Sequence, residues 1–543
     1  MNTTLVQLVR CGLAAAAIAG MVRSPSSTAA TFAPGFAEST YSAGWNEPVG
    51  IIFGRNPDGS KERMYVWERT GRVWIVEDGV RLAAPLLDIS DEVAGYRDHG
   101  MLGFALDPDF TTNGRFYVMY VVDRHHLLNY GTPAYNPTTN EYFMPTIGRI
   151  TRYTARVSDD RRTADPATRL VLVGETKSTG FPVLHESHSI GSLFFGRDGT
   201  LLATCGDGAS YNAMDNGRQA GGAYGDAAVT DGIIDAAQNI GAFRSQLLDS
   251  LSGKMIRIDP STGDGVPGNP LFQSGTPRSV RSRMWARGLR NPCRFTLRPG
   301  TGSTVPADAN PGAFFIGDVG WNTKEDLHVA DVGGRNFGWP LFEGMDQQPA
   351  YWAARPTGMN GTDHTRPLAD WRNGSTARVS VGGTIYNMGA VGNPVSGTSF
   401  GGNCSIGGCW YQGADFPPDY AGTYFHADYG GGWIRNFQIG ANNEIEAIRT
   451  FASSTGGVMF VTTHPENGGI YYIPFGGQIM KVEYVGGTPP IARGGAHRTW
   501  GTSPLTVNFS SLGSVDPKGG ALRFLWDFGD GVTSTLPYPS HTY

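Results

Sequence analysis

The feature that most constrains the fold is a short pattern that recurs along the chain. An aromatic residue is followed six positions later by a glycine, and an apolar residue comes two positions after that glycine, in the segments 65–73, 425–433 and 471–479. Shorter versions lie at 148–150 and 253–255. Alternating apolar and polar residues around a glycine turn are typical of antiparallel β-hairpins.

Degenerate hairpins spread over about 450 residues predict an all-β fold, and more specifically a β-propeller. Six blades would each take about 75 residues, which is long for a four-stranded blade, so we expect large insertions. The polar segments 123–146 and 211–249, rich in Gly, Asn or Ala, are assigned to such loops. Sites usually lie on long loops carried by a rigid scaffold. Two unrelated β domains with coincidental hairpins are the alternative.

Composition agrees with a turn-rich β protein and excludes several other classes. Glycine makes up 77 of the 543 residues, and charged residues are only 17%. This glycine share is about twice the usual one, which excludes a coiled coil or a long helical bundle. The net charge of −5 argues against a nucleic-acid partner, because such a partner requires a basic surface.

The first 30 residues are predicted to be an export signal. Arg10 and Arg23 flank an apolar run at 11–22, and the small residues at 27–30 offer a cleavage site. The apolar run is too short to span a bilayer, and no later apolar stretch is long enough to do so. We therefore expect a secreted or periplasmic protein that does not span a membrane, with an unprocessed N-terminus as the alternative.

Cleavage would leave four cysteines, and export permits disulfides between them. The four are Cys205, Cys293, Cys404 and Cys409. The sequence leaves the pairing open, but the glycine-rich segment around Cys404 and Cys409 favours a local bond between these two. Zinc binding is the alternative, although no second ligand pair has the spacing of a zinc site.

Two groups of residues are candidates for proton transfer and ligand binding. His188 precedes an apolar stretch at 193–195, and a histidine at the mouth of a strand can accept a proton near neutral pH. His185 is a competing candidate. Arg290 and Asn291 stand side by side before a proline, and this pair suits a carbonyl or anionic ligand. A structural histidine and a loop cap are the alternatives.

An acidic turn at 318–326 is a candidate calcium site. Asp318, Glu325 and Asp326 surround a glycine, and carboxylates together with backbone carbonyls are the ligands that calcium prefers. The spacing is not that of an EF-hand, and a solvated acidic loop is the alternative. The sequence lacks a dinucleotide-binding fingerprint, a Walker loop, and the H-E-x-x-H and G-x-S-x-G motifs, so it argues against those chemistries. A lactonase-like hydrolase is a third alternative, for which no convergent cluster of metal-binding side chains can be assembled from the sequence.

Several segments, taken in order, resemble the glucose/sorbosone dehydrogenase family of soluble quinoproteins. They are the segments 48–54, 64–79, 100–120, 188–208, 251–259, 285–295 and 316–344. The resemblance covers roughly residues 36–484. Members of this family are six-bladed β-propellers that use pyrroloquinoline quinone (PQQ) and calcium, so the resemblance implies such a propeller at 31–485, after a signal peptide at 1–30.

The resemblance also implies an activity and the residues that carry it. The protein would oxidise the C1 hydroxyl of an aldose or oligosaccharide to the lactone, with PQQ as hydride acceptor and an external electron acceptor as partner. His188 would be the general base. Arg290 and Asn291 would contact the cofactor, and the backbone oxygens of Gly320 and Trp321 would bind calcium.

One segment departs from the family pattern. Well-known members hold the PQQ carboxylates with lysine and arginine from the last blades. Here no lysine or arginine occurs between Arg449 and Lys481, and the segment 424–440 offers only Arg435. Either arginines from other loops take this role, or the propeller is a non-catalytic module that binds carbohydrate or protein.

The segment 486–543 begins with a Gly/Pro-rich linker and resembles a PKD domain, an immunoglobulin-like β-sandwich. The likeness lies in residues 522–534 and in the closing residues 537–543. We predict a turn at 516–519 and a strand at 522–528. The PKD pattern normally continues beyond the final tyrosine, so a truncated sandwich is expected. Such a domain suggests contact with polysaccharide or a cell surface.

Overall fold

A computed structural model describes most of the chain. The described residues are 29–361, 363–466, 468–486, 492–516, 522 and 524–543. The predicted export signal therefore lies almost entirely outside the described residues, as does most of the predicted turn at 516–519. Within the described part, no helix is long and apolar enough to cross a membrane.

The chain divides into two compact units. The large unit contains residues 38–482, and the small unit comprises 32–37 and 483–543. A two-residue strand, Thr31–Phe32, precedes the strands of the large unit.

The large unit is built from six antiparallel sheets, numbered here first to sixth in chain order. The strands of the first sheet are Pro48–Arg55, Glu62–Glu68, Arg72–Glu77, Val80–Arg81 and Leu87–Asp88. Those of the second are Met101–Leu106, Arg115–Val121, Thr146–Ala155, Ala164–Val173 and Phe181–Val183. The third contains Ile190–Phe195, Leu201–Cys205, Lys254–Ile258 and Met284–Arg287. The fourth contains Pro292–Leu297, Phe314–Asp318, Glu325–Ala330, Ala369–Trp371, Arg378–Val381 and Thr384–Asn387. The fifth contains Ser405–Trp410, Tyr424–Asp428, Trp433–Ile439, Ile445–Ser453 and Thr31–Phe32, and the sixth contains Val458–Thr463, Ile470–Pro474, Gln478–Tyr484 and Phe36–Ala43.

The first strands of the six sheets form a closed ring. Each contacts the first strand of the next sheet, and the first strand of the sixth sheet contacts Pro48–Arg55 of the first. The sixth sheet takes its outermost strand, Phe36–Ala43, from a part of the chain that comes before the first sheet. Aromatic rings fill the space between neighbouring sheets: Tyr117 and Phe195, for example, join the second and third sheets with ring centroids 5.3 Å apart.

The recurring sequence pattern corresponds to one hairpin of each sheet in which it occurs. In the first sheet it joins the second and third strands, where Tyr65 pairs with Ile75. The aromatic residue of each copy (Tyr65, Phe425 or Tyr471) is fully buried. Gly71 makes the first turn with a φ of +101°, and a Cβ there would lie 2.9 Å from Val93. The hairpin prediction is thus confirmed for these three copies, whereas the shorter version at 148–150 lies within the strand Thr146–Ala155. The backbone angle and the available space both require glycine at position 71.

Helices are few and short. The α-helices are Phe110–Asn113, Arg124–Asn129, Gly225–Asp231, Val280–Arg283 and Pro349–Ala354, and the 3₁₀-helices are Val157–Asp159, Ala220–Gly222, Ala236–Gln238, Gly241–Gln246, Pro306–Asp308 and Pro418–Tyr420. A small two-stranded sheet pairs Phe342–Glu343 with Asp346–Gln347. The predicted insertions at 123–146 and 211–249 carry several of these helices.

The described residues of the small unit form two short sheets. Gly495–Ala496, Thr506–Ser510 and Ser540–Thr542 form one, and Trp526–Asp527 pairs with Thr533–Ser534 in the other. Of the strand predicted at 522–528, the described residues show Trp526–Asp527 as strand. The rings of Trp526 and Phe528 pack on Phe509, with centroids 5.5 and 5.2 Å away.

The expected local disulfide between Cys404 and Cys409 is wrong. Cys409 is a buried free thiol within strand Ser405–Trp410, and Cys404 comes immediately before that strand. Five residues of extended chain span about 16 Å. A disulfide requires Cα atoms within roughly 7 Å, so the strand keeps the two thiols apart.

Candidate functional site

His188 lies just ahead of the first strand of the third sheet, and its backbone conformation is unusual. Its φ is +54°, in the left-handed region that favours glycine. Two neighbours hold this conformation. The N–H of Gly208 donates to the His188 carbonyl at 3.0 Å, and a Cβ at Gly206 would lie only 2.4 Å from the same oxygen. Non-glycine residues with such angles cluster at functional sites.

A buried carboxylate holds one nitrogen of the His188 ring. Nδ1 lies 2.9 Å from Oδ1 of Asp207, and both side chains are almost fully buried. Asp207 Oδ2 accepts a hydrogen bond from Trp339 Nε1 at 2.7 Å, and Oδ1 also accepts from the N–H of Ala209 at 2.8 Å. Among the described residues, His188 Nε2 has no hydrogen-bond partner.

The surroundings of the pair set its protonation. Burial and the charge of Arg290 lower the pKa of His188, and their effect exceeds the opposing effect of Asp207. Burial alone would raise the pKa of Asp207, but the His188 ring and Arg290 outweigh burial and hold that pKa below its usual value. The pair therefore consists of a neutral imidazole and a carboxylate at neutral pH, with Nδ1 as donor.

The predicted pair Arg290 and Asn291 lies beside His188. The carbonyl of Arg290 accepts from the N–H of Asp207 at 2.7 Å. The Arg290 guanidinium lies over the Trp339 ring at 5.3 Å, and its Nη1 donates to the carbonyls of Val319 and Gly320, both at 2.8 Å. Its Nε is buried and has no hydrogen-bond partner in the described part of the chain.

Asp318 fixes the backbone of this pair instead of facing solvent. Its Oδ2 accepts from the N–H of Arg290 at 3.0 Å, and its Oδ1 accepts from the N–H of Asn291 at 2.6 Å. Burial, the largest cause, raises the pKa of Asp318 to about 7. Asp318 thus positions both candidate ligand-binding residues.

Two carboxylates hold the backbone of the acidic turn: Glu343, which lies outside the turn, and Glu325 within it. Glu343 Oε1 accepts from four successive N–H groups, from Trp321 to Lys324, at 2.7 to 3.2 Å. Glu325 accepts from the N–H of Gly320 at 3.1 Å and from Arg372 at 2.8 Å. Within the described ranges, no group of three or more His, Cys, Asp or Glu side chains is arranged to hold a metal ion.

His185, the competing candidate, has different surroundings. Its Nδ1 lies 3.1 Å from the hydroxyl of Ser187, and its ring packs edge-on against Tyr211. Burial lowers the pKa of His185 to about 3. Of the two histidines, only His188 is paired with a carboxylate.

Two pockets open near the site. A small one of about 50 Å³ is lined by Asn291, Ser189 and Val319, among others. A neighbouring pocket of about 360 Å³ contains Arg69 and Arg97, and Met459 lines both. Arg435, the cation noted in the late segment, instead lies over the rings of Phe400 and Trp433, at 4.4 and 5.4 Å.

Sequence reasoning missed Asp207, Trp339 and Asp318 as partners of the site. Asp207 had a detectable signal, because it forms an Asp-Gly pair shortly after the apolar residues Leu201–Ala203, in the same segment as His188. No local sequence signal pointed to Trp339, because 132 positions separate it from Asp207.

Comparison with protein families gives matches to both units. The model of the family "Glucose / Sorbosone dehydrogenase" matches residues 46–473, and a PKD domain model matches residues 487–543.

Curated relatives include proteins with and without a dehydrogenase name. HIPL1 protein of Arabidopsis thaliana is 26% identical over 433 residues, covering 74% of this chain and 54% of that protein. Hedgehog-interacting protein of Homo sapiens is 29% identical over 47% of this chain and 31% of its own length. The chain thus spans about half the length of the first relative and about a third of the second. Quinoprotein glucose dehydrogenase B of Acinetobacter calcoaceticus is 25% identical, covering 62% of this chain and 59% of that protein.

Solved structures support the same fold. A glucose dehydrogenase superposes with a TM-score of 0.54 at 18% identity, covering 82% of this chain and 98% of that one. The apo form of the soluble aldose sugar dehydrogenase from Escherichia coli gives 0.52 at 17% identity, covering 83% and 99%. Because the family model matches well over half of the sequence, the chain belongs to the glucose/sorbosone dehydrogenase family.

Proposed function

We propose that this protein is an exported, PQQ-dependent dehydrogenase that oxidises the C1 hydroxyl of an aldose or oligosaccharide to the lactone. The observation that carries the proposal is the buried His188–Asp207 pair, whose Nδ1 and Oδ1 are 2.9 Å apart, next to the Arg290 guanidinium. A neutral imidazole oriented by a carboxylate is the arrangement that a general base requires. An external electron acceptor would complete the cycle.

We infer the architecture of both units from the families that they match. The ring of six sheets supports a six-bladed propeller, in which each sheet is one blade. The short sheets of the small unit support a PKD-type β-sandwich. That domain would place the enzyme near polysaccharide or a cell surface.

His188 would take the proton of the sugar C1 hydroxyl at Nε2. Asp207 holds Nδ1 as a donor, which leaves the lone pair of Nε2 for the substrate, and it stabilises the imidazolium that forms. Because burial and Arg290 lower the pKa of His188, the ring is neutral before reaction. PQQ, when bound, supplies the hydride acceptor.

Arg290 and Asn291 would hold the reacting edge of the cofactor. The residues fit this role, because Arg290 has a buried Nε with no partner among the described residues and Asn291 lines the small pocket. Arg69 and Arg97 line the neighbouring pocket and are the candidates from other loops to replace the late-blade cations. Arg69 is paired with Glu47 at 2.7 Å and Arg97 with Glu186 at 3.4 Å, so a cofactor carboxylate would have to compete with these two acids.

Calcium at Gly320 and Trp321 stays a prediction. The Gly320 carbonyl already accepts from Arg290 at 2.8 Å, so a bound calcium ion would have to share that oxygen. Of the carboxylates in the turn, Glu325 accepts from the N–H of Gly320, and Asp318 accepts from the N–H groups of Arg290 and Asn291. The residues present therefore do not fit a calcium cage, and the proton transfer above does not depend on one.

A non-catalytic module that binds carbohydrate or protein is the second candidate. Arg435, the late-segment cation, packs on Phe400 and Trp433 and does not line either pocket near His188. The names HIPL1 protein and Hedgehog-interacting protein among the relatives also favour this candidate.

A titration of the purified protein with PQQ separates the two candidates. We expect saturable binding, seen in the quinone absorption, that is weaker by about 10-fold or more in Arg290→Met, because a charge-assisted hydrogen bond contributes about 1.5–3 kcal/mol. Arg435→Met is the matched control and should bind as the wild type does. Absence of binding at micromolar PQQ, with or without added calcium, would favour the binding module.

A further inference from the structure

A separate cavity of about 280 Å³ lies on the axis of the ring. All six first strands contribute to its wall, and representative lining residues are Phe53, Phe104, Phe195, Phe295, Cys409 and Phe460. Residues at the beginning of these strands line the pocket beside Asn291. Residues from later positions in the same strands line the axial cavity. It is therefore distinct from the His188 site.

Arg294 projects into this axial region, and its charge has no acidic partner. Its side chain is buried, with only 6% of the residue exposed. Nη2 donates to the carbonyl of Val49 at 2.9 Å, and Nη1 donates to the carbonyl of Leu102 at 3.1 Å. Within the described part of the chain Arg294 forms no salt bridge, and its Nε has no hydrogen-bond partner.

The fold makes room for this arginine. Gly407, on the first strand of the fifth sheet, has a φ of +110°, and a Cβ there would lie 2.5 Å from the Arg294 carbonyl and 2.9 Å from its Cβ. The guanidinium also lies 5.7 Å from the centre of the Phe460 ring. Arg294 is thus built into the wall between strands and is not a mobile surface cation.

A buried guanidinium with an unused N–H is an incomplete ion pair. Burying a charge is costly unless it is paired and hydrogen-bonded, and arginine does not escape this cost by losing its proton. Backbone carbonyls accept from three of the five N–H groups, two on Nη1 and one on Nη2, and they carry no net charge. A carboxylate in the cavity that Arg294 lines would supply the missing negative charge.

The rest of the cavity specifies what such a carboxylate would be attached to. Six phenylalanines line it together with Trp67 and several aliphatic residues, so the ligand is expected to be apolar beyond its head group. The lining on the third sheet runs from Ser192 to Phe195, which corresponds to about 10 Å at the usual rise of a strand. A cavity of this size is at the small end of ligand sites. A linear alkyl chain of medium length matches these limits.

We propose that the axial cavity binds a medium-chain alkanoate, with its carboxylate at Arg294 and its chain among the phenylalanines. The site is independent of the PQQ proposal, because its residues do not include His188, Arg290 or Asn291. No bond is made or broken.

Calorimetric titration of the full chain with octanoate tests this, with octan-1-ol as the uncharged probe of equal length. We expect saturable binding of octanoate, about 10-fold or more tighter than that of octanol, because a charge-assisted hydrogen bond contributes about 1.5–3 kcal/mol. In Arg294→Met the preference for octanoate should disappear. No saturable binding of octanoate to the wild type, or equal affinity for both probes, would overturn the proposal.

A second variant covers the case in which Arg294→Met does not fold, and it also locates the ligand. Thr462 is a half-buried wall residue, and Thr462→Trp fills the cavity while leaving Arg294 in place. Octanoate binding should be lost in Thr462→Trp, with an unchanged circular dichroism spectrum. If Thr462→Trp folds and still binds octanoate as the wild type does, the ligand lies elsewhere and the proposal is wrong.

Discussion

His188 Nδ1 and Asp207 Oδ1 are 2.9 Å apart in a region that is almost closed to water. This contact fixes which nitrogen carries the proton, because an ionised carboxylate can only accept a hydrogen bond. The proton stays on Nδ1, and Nε2 keeps its lone pair. The base proposed for sugar oxidation therefore depends on a residue 19 positions further along the chain.

Asp207→Asn tests this dependence. The amide can donate to Nδ1 and so stabilise the wrong tautomer, in which Nε2 carries the proton. We expect kcat to fall by about 10²–10⁴-fold with a much smaller change in KM. Steady-state kinetics of the PQQ-loaded variant measure this. A loss confined to KM would show that Asp207 acts on substrate binding and not on the base.

Trp339→Phe tests the second hydrogen bond of Asp207. Phenylalanine keeps a ring beside Arg290 but removes the N–H that donates to Asp207 Oδ2 at 2.7 Å. A buried acceptor left without its donor costs about 1–3 kcal/mol, so urea denaturation should show a loss of that size. Trp352→Phe, at a half-buried position, is the control and should change the free energy of unfolding by less than about 0.5 kcal/mol. Equal effects of the two variants would contradict the role of Trp339.

Gly407→Ala tests the close approach of the fourth and fifth sheets. A Cβ at Gly407 would lie 2.5 Å from the Arg294 carbonyl, whereas a Cβ at Gly476, which has a similar positive φ of +131°, would meet no atom within 4 Å. In both variants alanine has to adopt a positive φ, which lowers the free energy of unfolding. The difference in stability between the two variants therefore measures the steric clash alone. We expect Gly407→Ala to be less stable by a further 1–3 kcal/mol or so in chemical denaturation. Equal losses would mean that the ring relaxes freely at this contact.

Asp318→Asn tests the effect of burial on the acid that positions Arg290. Burial raises the pKa of Asp318 from its ordinary value of 3.8 to about 7 in the folded state. The folded protein therefore binds more protons than the unfolded chain between these two values, so its stability falls as pH rises through this window. The contribution is present in full below the unfolded pKa and is lost once the pH exceeds about 7.

In the variant this part of the pH dependence should be absent. The free energy of unfolding, measured from about pH 4 to about pH 8, should fall less steeply in Asp318→Asn than in the wild type. Some slope should remain, because burial also raises the pKa of Glu325, to about 8. Asp308→Asn, at an exposed position, should keep the wild-type slope. An unchanged slope in Asp318→Asn would contradict the raised pKa.

Local features of the fold were predictable from the sequence, and long-range ones were not. The hairpin at 65–73 follows from alternation and a glycine turn, both of which act over a few residues. The placement of Phe36–Ala43 beside the last sheet depends on closure of the whole ring, which no local pattern encodes. The pairing expected for Cys404 and Cys409 failed because a glycine-rich segment formed an extended strand.

The candidate site shows the same contrast between local features, which were predictable, and long-range contacts, which were not. His188, Arg290 and Asn291 lie in segments whose residue types indicate their chemistry, and the structure brings them together. The partners that tune them, Asp318 and Trp339, reach the site only through tertiary contacts. In the acidic turn, Glu325 and Asp318 accept hydrogen bonds from backbone N–H groups, a role that sequence alone does not distinguish from metal binding.

The most direct test of the account is aldose-dependent dye reduction by the PQQ-loaded protein, compared between wild type and His188→Ala. The account predicts turnover by the wild type on at least one aldose, and a loss of about 10²–10⁴-fold in His188→Ala with PQQ binding retained. His464→Gln is the control, in the loop between strands Val458–Thr463 and Ile470–Pro474. This variant should oxidise the aldose as fast as the wild type does. Turnover that survives His188→Ala, or a wild type that binds PQQ and oxidises no aldose, would contradict the account.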